Sequence, residues 1–442
     1  MIELCGKRVL VIGLGRTGRS AALFLAARGA QLVLTDRRAD LEAGGLPAGA
    51  EIYAGREDPG WLDGVDLVVP SPGVPRDNRL LRRALALGVP VVGEIELASW
   101  HIKRDLVAIT GTNGKSTVTT MLAEILRASG ARAFAGGNLG IPLIEAAGNN
   151  CDVAVAEVSS FQLEWVRSFR PRVGIFLNLS EDHCERYRDL DEYGEFKARL
   201  FENQRADDWA VLNRDDPRVW ALAKRVRARV VSFGAATARE DAAIWPQDGA
   251  LRFALDGRAG VISMSGFRLP GRHNLSNAMA AAAGALACRV APEAIAAVLA
   301  EFRGLPHRLE FVRERRGVVF LDDSKSTNVD GAAAALAACG GPVIWVAGGI
   351  DKGGDYAPLR PLSREKVRAA ILMGPARERM LSALEGATEV KLVETLSEAV
   401  AAAADGARGG DIVLLSPACS SFDQFKDYAH RGRVFKELVM AL

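Results

Sequence analysis

The stretch LVAITGTNGKST, residues 106–117, contains the parts of a phosphate-binding loop, although the strict pattern G-x-x-x-x-G-K-[ST] does not fit it. An apolar β-branched run precedes a turn with two glycines, and Lys115 and Ser116 follow that turn directly. Phosphate binding by such a loop requires a buried strand, a tight glycine turn, a lysine and a hydroxyl group at the start of a helix. The next residues, VTTMLAEILRASG, predict a helix that ends at Gly130. The chain therefore has every part of a nucleotide-phosphate site in order.

Two polar residues beyond this loop have the chemistry of a magnesium site. Glu157 ends the apolar run DVAVAE, where a buried carboxylate would be costly unless a cation or another partner faced it. Magnesium prefers oxygen ligands, which makes the Ser116 hydroxyl a second candidate. His183, in NLSEDH, follows the next predicted strand. A loop histidine satisfied by its neighbours is the alternative for His183 alone, whereas convergence of the three groups at one sheet edge would indicate a ligand.

A second glycine-rich turn, GLGRTG, lies between a predicted strand and a predicted helix near the start of the chain. Gly13, Gly15 and Gly18 make the spacing G-x-G-x-x-G, and Asp36 ends the following strand, as in dinucleotide-binding folds. Backbone N–H groups at such a turn favour a phosphate. Three alternatives remain open for this turn: a redox dinucleotide, another ligand with phosphate groups, and a tight turn without a ligand.

Polar and basic residues also follow two predicted strands in the last third of the chain, in DDSKSTN and GGIDKGGDY. In an open α/β sheet, ligands bind at the carboxyl ends of the strands, so both segments are candidates for a further part of the site. Arg308, in LPHRLE, lies in the predicted linker before them. The alternative for Arg308 is an interdomain salt bridge, which would contribute little energy.

The elements that position these residues form three successive α/β units. The first begins with RVLVIG and continues with predicted strands at VDLVVPSPGV and VPVVGEIEL. The phosphate loop starts a second unit, which also contains a β-rich stretch at LRFALDGRAGVISM and a packed helix at NLSNAMAAAAGALACR. A third unit follows GLPHRLEFV. We predict three α/β domains, at residues 1–94, 95–304 and 305–442.

Composition excludes several other classes of protein. Lys and Arg total 56 against 54 for Asp and Glu, so no overall field favours nucleic acid or an anionic membrane. No apolar run reaches the roughly 18 residues of a membrane span, and the first residues lead directly into a strand, so we expect a cytoplasmic protein. The six cysteines are scattered without a C-x-x-C pair, which indicates neither a disulfide framework nor a thiolate metal site.

Together, the motifs resemble those of the Mur ligase superfamily of ATP-dependent amide-forming enzymes. The resemblance covers essentially the whole chain through motifs in this order: AITGTNGKSTVTT, EVSSFQLE, NLSEDH, GRHNLSNAMAAAA, GLPHRLE, DDSKSTNVDGAAAAL, AGGIDKGGD and LSPACSSFDQFKDYAHRG. The last motif and the compact G-x-G-x-x-G start are most similar to the members that add D-glutamate. The phosphate loop of this family is the shortened form G-T-x-G-K-[ST], which this chain matches.

The resemblance implies an N-terminal Rossmann-like domain for a UDP-linked substrate, a central P-loop ATPase-like α/β domain for ATP and a C-terminal Rossmann-like domain for the amino acid. The implied reaction is the ATP-dependent addition of D-glutamate to UDP-N-acetylmuramoyl-L-alanine in peptidoglycan synthesis, through an acyl phosphate. ATP and two Mg²⁺ ions would be required. We expect a monomer with no nucleic-acid partner and no membrane span.

The same resemblance assigns roles to individual residues. The ATP-binding residues would be Gly111, Thr112, Asn113, Gly114, Lys115, Ser116, Thr117, Asn274, Asn277, Arg308 and Asp323. The magnesium ligands would be Ser116 and Glu157 for one ion and His183 with Lys197 for the other. The catalytic residues would be Lys115, His183, Lys197 and Arg308. The UDP-substrate residues would be Arg16, Thr17, Asp36, Arg37, Ser71, Gly73, Asn138 and His183. The D-glutamate residues would be Thr327, Lys352, Ser421 and Phe422.

Lys197 lies in YGEFKARLFEN, whose helical pattern alone indicates a solvated surface lysine. The resemblance instead places Lys197 beside the second magnesium ion, where an ammonium group would be repelled by the metal. In the family this lysine is carbamylated by carbon dioxide, which turns the cation into an anionic oxygen ligand suited to magnesium. The resemblance therefore implies a carbamylated Lys197.

Three other functions are compatible with parts of the sequence. A folylpolyglutamate-synthase-like glutamate ligase would share the second and third units but is expected to lack the first. An NAD-dependent oxidoreductase would explain GLGRTG and Asp36 but leaves the phosphate loop unexplained. A non-catalytic nucleotide-gated scaffold would not need Lys115, Glu157, His183 and Lys197.

Overall fold

The computed structural model describes residues 2–42, 44–182, 186–235, 242–269 and 271–442. Within these residues the strands form three sheets, of four, nine and six strands. The predicted α/β fold with three domains is confirmed, and the predicted domain boundaries stay predictions. By its internal contacts the chain divides into two units: Met1–Leu179 with Asp191–Ser265 and Ala278–Ala300, and Ser180–Leu190 with Gly266–Asn277 and Glu301–Leu442.

The first sheet is parallel, and its two central strands are buried over most of their length. The elements of this domain are β1 (Arg8–Ile12), α1 (Arg16–Ala26), β2 (Gln31–Asp36), β3 (Glu51–Ala54), a 3-10 helix (Pro59–Leu62), β4 (Leu67–Pro70), α2 (Arg79–Ala86) and α3 (Glu94–His101). The strand order is β3-β2-β1-β4, so the turn after β1, the end of β2 and the end of β4 meet at one sheet edge.

The strand predicted at VPVVGEIEL is wrong over its second half. Val91 forms a single parallel bridge with Val68, and helix α3 begins at Glu94. Acidic residues favour the first turn of a helix, and here Glu94 and Glu96 occupy it. Both carboxylates also accept backbone N–H groups from distant segments of the central domain, which fixes the helical conformation against the β propensity of the apolar run.

The central sheet carries the phosphate loop. Its elements are β5 (Asp105–Thr110), α4 (Lys115–Ala128), β6 (Ala133–Gly137), β7 (Val153–Glu157), α5 (Ser160–Leu163), β8 (Val173–Phe176), α6 (Leu190–Ala198), β9 (Trp209–Asn213), α7 (Pro217–Trp220), β10 (Arg229–Phe233), β11 (Ala243–Gln247), β12 (Ala250–Leu255), β13 (Arg258–Ser263), α8 (Arg272–Ala287) and α9 (Pro292–Glu301), with 3-10 helices at Leu143–Gly148, Arg199–Phe201 and Ala221–Lys224. The strand order is β13-β12-β11-β10-β9-β8-β5-β7-β6. Strands β11, β12 and β13 pair antiparallel, which matches the β-rich stretch predicted there, and the other pairs are parallel.

The C-terminal sheet has helices on both faces. Its elements are β14 (Glu310–Arg315), β15 (Val318–Asp322), α10 (Val329–Ala338), β16 (Val343–Gly348), α11 (Leu359–Lys366), β17 (Val367–Met373), α12 (Arg377–Leu384), β18 (Glu389–Leu392), α13 (Leu396–Gly406), β19 (Ile412–Leu415) and α14 (Tyr428–Ala441). The order is β14-β15-β19-β16-β17-β18, and only β14 is antiparallel to its neighbour among these described strands.

The distribution of buried apolar side chains explains the two units. One continuous core contains residues of both the first and the central sheet, from Leu4 to Ala228. The C-terminal sheet has its own apolar clusters on its two faces. None of the helices in the described residues is both long and apolar enough to cross a membrane.

Candidate active site

Two glycines give the phosphate loop its shape between β5 and α4. Gly111 has φ +151°, and a Cβ atom on it would lie 2.9 Å from the Cβ of Leu177. Gly114 precedes the first residue of α4 with φ +86°, in the left-handed region. Other residues rarely adopt such values, so both positions require glycine. The loop therefore bends sharply enough to bring Lys115 to the start of the helix, as the sequence predicts.

Two lysines converge on this loop. The Lys115 Nζ donates to the carbonyls of Gly111 and Thr112 at 2.8 and 2.7 Å. The Lys197 Nζ donates to the same Gly111 carbonyl at 2.8 Å, and it lies 4.4 Å from the centroid of the Tyr193 ring. Lys197 is only 1% exposed, so the solvated surface lysine indicated by the helical pattern is wrong. The structure places this side chain at the phosphate loop instead.

Glu157 presents an unsatisfied carboxylate oxygen near the loop. It is the last residue of β7 and lies opposite Ile109 of β5 in the register of the sheet. Its Oε1 accepts a 2.6 Å hydrogen bond from Asn138, whereas its buried Oε2 has no partner among the described residues. An orphaned buried carboxylate oxygen is costly unless a cation faces it, and magnesium takes such oxygens as ligands. Ser116, also buried, opens the neighbouring helix. These donors fit a magnesium ion.

Of the predicted metal ligands, His183 lies outside the described residues. Asn138, predicted to contact the muramoyl part of the substrate, binds Glu157 twice: through the side-chain bond above and through its backbone N–H, which donates to the Glu157 carbonyl at 2.8 Å.

Thr112 and Thr117 are buried at the base of the phosphate loop and in the first turn of α4. The predicted ATP residues of the phosphate loop thus lie together at the carboxyl edge of the central sheet.

The glycine-rich turn of the first domain is tightly closed. A Cβ on Gly18 would lie 1.9 Å from the Gly13 carbonyl, and Ser71 donates its hydroxyl to that carbonyl at 2.7 Å. Asp36 accepts the Leu14 N–H at 2.7 Å and binds the Arg38 guanidinium at 2.9 Å. The hydrogen bond from Arg38 is the main cause that lowers the pKa of Asp36 to about 2. Asp36 is therefore charged at neutral pH, and its two carboxylate oxygens accept hydrogen bonds from Leu14 and Arg38.

The remaining residues predicted for the UDP-linked substrate differ in their surroundings. Arg16 donates from Nη1 to the Gly140 carbonyl at 2.7 Å, which ties α1 to the loop after Asn138. Thr17 is partly buried in the same helix, and Arg37 and Gly73 are exposed after β2 and β4. They all lie at the carboxyl edge of the first sheet.

Asp323 is buried immediately after β15. It accepts the Ser416 hydroxyl at 2.7 Å and the Leu309 N–H at 3.2 Å. Burial is the main cause that raises the pKa of Asp323 to about 7, and the charge of Arg308 acts in the opposite direction. Arg308 is partly buried. Arg308 and Asp323, the residues predicted to contact the γ-phosphate and the ribose, are thus neighbours in the part of the chain that contains the C-terminal sheet.

Asn274 and Asn277 lie one turn apart at the start of α8, and both are largely buried. The Asn277 Nδ2 is 3.5 Å from the Asn274 Oδ1. The spacing of three residues puts both amides on one face of the helix, as a pair that contacts one ligand requires.

Two of the predicted D-glutamate residues are in contact. The Lys352 Nζ lies 3.4 Å from the Thr327 hydroxyl and 3.8 Å from a carboxylate oxygen of Asp182. Backbone hydrogen bonds of 3.0 and 2.9 Å join Ile350 to Ser420, so the loops after β16 and β19 run side by side.

The two remaining predicted D-glutamate residues follow in the second of these loops. Ser421 is buried, whereas the Phe422 ring is 69% exposed. The loop pairing brings Ser421 toward the Lys352 loop, while the exposed ring leaves the role of Phe422 a prediction.

Residue-by-residue reasoning missed Arg431, which is fully buried in the first turns of α14. Its Nε and Nη2 donate to the Ser324 hydroxyl and carbonyl at 3.0 and 2.9 Å, and its Nη1 donates to the Cys419 carbonyl at 3.3 Å. Burial lowers the pKa of Arg431 to about 10. Arg431 thus joins the loop that carries Asp323 to the loop that carries Ser421. The sequence signal that could have identified Arg431 was its position as a charged residue in the YAHRG stretch of the last motif.

Comparison with known protein families decides the membership of the chain. Three family profiles match it in sequence: the Mur ligase MurD-like N-terminal domain over residues 7–93, the Mur ligase middle domain over residues 109–285 and the Mur ligase glutamate ligase domain over residues 307–419. The chain belongs to the Mur ligase family. The resemblance found from the motifs is thereby confirmed.

Curated relatives match this Mur ligase over its full length. Proteins named UDP-N-acetylmuramoylalanine--D-glutamate ligase from Geobacter metallireducens and Trichlorobacter lovleyi are each 46% identical to it, and the matches cover 100% of this chain and 99% and 100% of those proteins.

Solved structures share the fold at low identity. A pseudomurein peptide ligase type C from Methanothermus fervidus is 20% identical with a TM-score of 0.63, and the match covers 99% of this chain and 100% of that one. UDP-N-acetylmuramate-alanine ligase MurC from Thermotoga maritima is 20% identical with a TM-score of 0.61, over 98% and 99% of the two chains. These likenesses show the three-domain fold.

Proposed function

We propose that this Mur ligase joins D-glutamate to UDP-N-acetylmuramoyl-L-alanine at the expense of ATP in peptidoglycan synthesis. The observation that carries the proposal is the convergence of Lys115 and Lys197 on the Gly111 carbonyl, at the sheet edge where Glu157 has a buried carboxylate oxygen without a partner among the described residues. A lysine that can bind phosphate, a second lysine that carbamylation would turn into an anionic ligand, and an acidic oxygen at a strand-loop-helix turn suit a magnesium nucleotide. Sequence identity of 46% and 45% over the full chain to two proteins named UDP-N-acetylmuramoylalanine--D-glutamate ligase supports the choice of amino acid.

The roles proposed for ATP follow the chemistry of each side chain. Lys115 would bind the phosphates, Arg308 the γ-phosphate, Asp323 the ribose, and the amides of Asn274 and Asn277 the adenine. Ser116 and Glu157 would hold one Mg²⁺, while His183 and a carbamylated Lys197 would hold the second. When bound, these ions would neutralise charge on the transferred phosphoryl group.

The roles proposed for the two other substrates fall on the first and last domains. The edge of the first sheet would bind the UDP moiety through Arg16, Thr17, Asp36, Arg37, Ser71 and Gly73, and Asn138 would contact the muramoyl part. D-glutamate would be held by Thr327, Lys352, Ser421 and Phe422. The proposed domain boundaries remain 1–94, 95–304 and 305–442. The proposal also includes a monomeric enzyme in the cytoplasm.

A carboxylate is a poor acyl donor, which explains why ATP is needed. An oxygen of the terminal alanine carboxylate forms a bond to the γ-phosphorus, and the bond from that phosphorus to ADP breaks. The amine of D-glutamate then forms a bond to the acyl carbon, and inorganic phosphate leaves. Both steps concentrate negative charge, which the positively charged Lys115 and Arg308 would stabilise as fixed groups that need no reorganisation.

The first domain distinguishes this proposal from a folate-type glutamate ligase, which is expected to lack it. Its sheet edge combines the tight GLGRTG turn with the bound carboxylate of Asp36, and these support a site for the diphosphate of a UDP-linked substrate. A nicotinamide cofactor would leave the entire phosphate loop without a role.

The test is release of ADP with UDP-N-acetylmuramoyl-L-alanine as the acceptor and one amino acid at a time: D-glutamate, L-glutamate, L-lysine or L-alanine. We expect ADP only when ATP, the acceptor and D-glutamate are all present. Comparable ADP release with L-glutamate, or none with any amino acid, would contradict the proposal. Oxidation of NADH that is added to the same mixture would revive the oxidoreductase alternative.

A further inference from the structure

The side chain of Asn178 binds both backbone polar groups of a residue in the phosphate loop. Its Oδ1 accepts the N–H of Asn113 at 2.8 Å, and its Nδ2 donates to the carbonyl of Asn113 at 3.1 Å. The backbone carbonyl of Asn178 also accepts the N–H of Thr112 at 2.9 Å. Three hydrogen bonds thus connect this one residue, just after β8, to the loop between β5 and α4.

These bonds hold the part of the loop whose carbonyl groups accept hydrogen bonds from Lys115 and Lys197. Lys115 donates to the carbonyls of Gly111 and Thr112, and Lys197 donates to that of Gly111. The peptide that follows Thr112 is held by Asn178 at the N–H of Asn113. A change of the Asn178 side chain would therefore release the peptide that carries the Thr112 carbonyl, which is one of the two carbonyl groups that fix the Lys115 ammonium group.

Asn178 is itself held in place from the opposite side. The buried amide of Asn213 donates to the Leu177 carbonyl at 2.7 Å, and the Leu179 N–H donates to Asp216 at 2.7 Å. Leu177 also donates its N–H to the Thr110 carbonyl at 3.0 Å, which extends the pairing of β5 and β8. The residues on both sides of Asn178 are thus anchored, so its amide is a fixed template for the loop.

We propose that Asn178 is a positioning residue that holds the shortened phosphate loop in its phosphate-binding conformation before the nucleotide arrives. The proposal rests on the proposed function, because it takes the loop as the nucleotide site. A loop that is already ordered loses less conformational freedom when a ligand binds, so affinity for the nucleotide depends on what orders it. Asn178 would act through the loop and would not touch the nucleotide.

The test compares two asparagine variants of the full chain by calorimetry with Mg·ADP. Asn178→Ala removes the two side-chain bonds to the loop. Asn203→Ala is the matched control, because its amide also makes two hydrogen bonds to the backbone of the central domain, in this case by donating to the carbonyls of Arg167 and Phe169 at 3.0 and 3.3 Å. We expect Asn178→Ala to weaken Mg·ADP binding about tenfold or more, as loss of two hydrogen bonds allows, while Asn203→Ala binds as the wild type does.

A second ligand and a second variant separate positioning from general damage. Binding of UDP-N-acetylmuramoyl-L-alanine should be unchanged in both variants. Asn178→Asp keeps the size of the side chain but replaces the donor to the Asn113 carbonyl by an oxygen, so it should also weaken Mg·ADP binding and serves if the alanine variant does not fold.

Each remaining outcome has one meaning. Unaltered Mg·ADP affinity in the folded Asn178 variants would overturn the positioning role alone, as would equal weakening in Asn203→Ala. A wild-type chain that does not bind Mg·ADP would instead overturn the proposed function and this inference with it.

Discussion

Lys115 and Lys197 donate hydrogen bonds of 2.8 Å to the same backbone carbonyl, that of Gly111. Because both nitrogens lie at that distance from one oxygen, they are within twice 2.8 Å of each other. Two ammonium groups so close in a largely buried place repel each other, and an anion between or beside them relieves that repulsion. The arrangement is thus prepared for negative charge, supplied by a phosphate or by modification of one lysine.

The first prediction concerns Lys197. If this lysine is carbamylated, Lys197→Ala should lower the rate of ADP release by about a hundredfold or more, since it removes an anionic group from the reacting centre. Acetate should restore part of the rate by placing a carboxylate in the vacated space, whereas neutral acetamide should not. Lys224→Ala, at an exposed position of the same domain, is the control and should remain active. Near-normal activity of Lys197→Ala, or equal rescue by acetamide, would refute the role of charge.

The second prediction concerns Lys115. Lys115→Ala should abolish ADP formation, because it removes the positive charge that we propose to face the transferred phosphoryl group. Binding of UDP-N-acetylmuramoyl-L-alanine should persist, since the two glycine-rich turns belong to different sheets. Calorimetry with the UDP-linked substrate and with ATP measures the two sites separately. Loss of both ligands together would show that the sites are not independent.

The third prediction concerns the loop that carries Lys352. The Asp351 carboxylate accepts the Gly353 N–H at 2.9 Å and the Tyr356 hydroxyl at 3.1 Å, and it forms an ion pair with Arg379. Arg379→Ala should raise the KM for D-glutamate by about tenfold, while the KM for ATP stays unchanged, because the pair orders the loop without facing the nucleotide.

Arg225→Ala is the matched control for this third prediction. Arg225 is exposed to a similar degree and pairs with Glu195 in the central domain, so its loss should alter neither KM. A parallel rise of both KM values in Arg379→Ala would indicate general destabilisation and count against a role in ordering the Lys352 loop.

The fourth prediction is a pH dependence of stability at Glu94. Glu94 is buried, its Oε1 accepts the Ile144 N–H at 2.6 Å, and its Oε2 has no partner among the described residues. Burial is the main cause that raises the pKa of this carboxyl to about 7. The folded protein therefore holds a proton that the unfolded chain releases above about pH 4.5, so stability is lost as the pH rises from there to about 7.

Glu94→Gln mimics the protonated carboxyl at every pH. The Tm of this variant relative to the wild type should therefore increase between pH 5 and pH 8, with a gain that corresponds to about 2 kcal/mol. Thermal unfolding at both pH values provides the measurement. A constant difference in Tm, or a larger gain at pH 5, would mean that Glu94 is charged in the folded protein across this range.

Local sequence signals were sufficient for the phosphate loop and the strands around it. Gly111 and Gly114 are required by backbone angles within the loop itself, and Lys115 follows at a fixed position in the chain. The apolar run before Glu157 forms a buried strand because its composition alone favours one. Features of this kind depend on residues within one turn or one strand, which is the range over which a single sequence is informative.

Contacts between distant segments were beyond that range. Asn178 binds a residue 65 positions away, and Glu94 and Glu96 accept N–H groups from residues 50 to 73 positions away. The helix α3 and the template role of Asn178 arise from such pairs. The burial of Lys197 has the same origin, since its helix contains as many polar as apolar residues and only the fold shows which face is covered.

Ligation through an acyl phosphate is tested most directly by the fate of the carboxylate oxygens. UDP-N-acetylmuramoyl-L-alanine labelled with ¹⁸O in its alanine carboxylate is incubated with ATP and D-glutamate, and the released phosphate is analysed by mass spectrometry. The mechanism predicts one ¹⁸O atom in each phosphate and one in the new amide, because the oxygen that attacks the γ-phosphorus leaves with it. Phosphate that carries no label from the carboxylate would contradict the account.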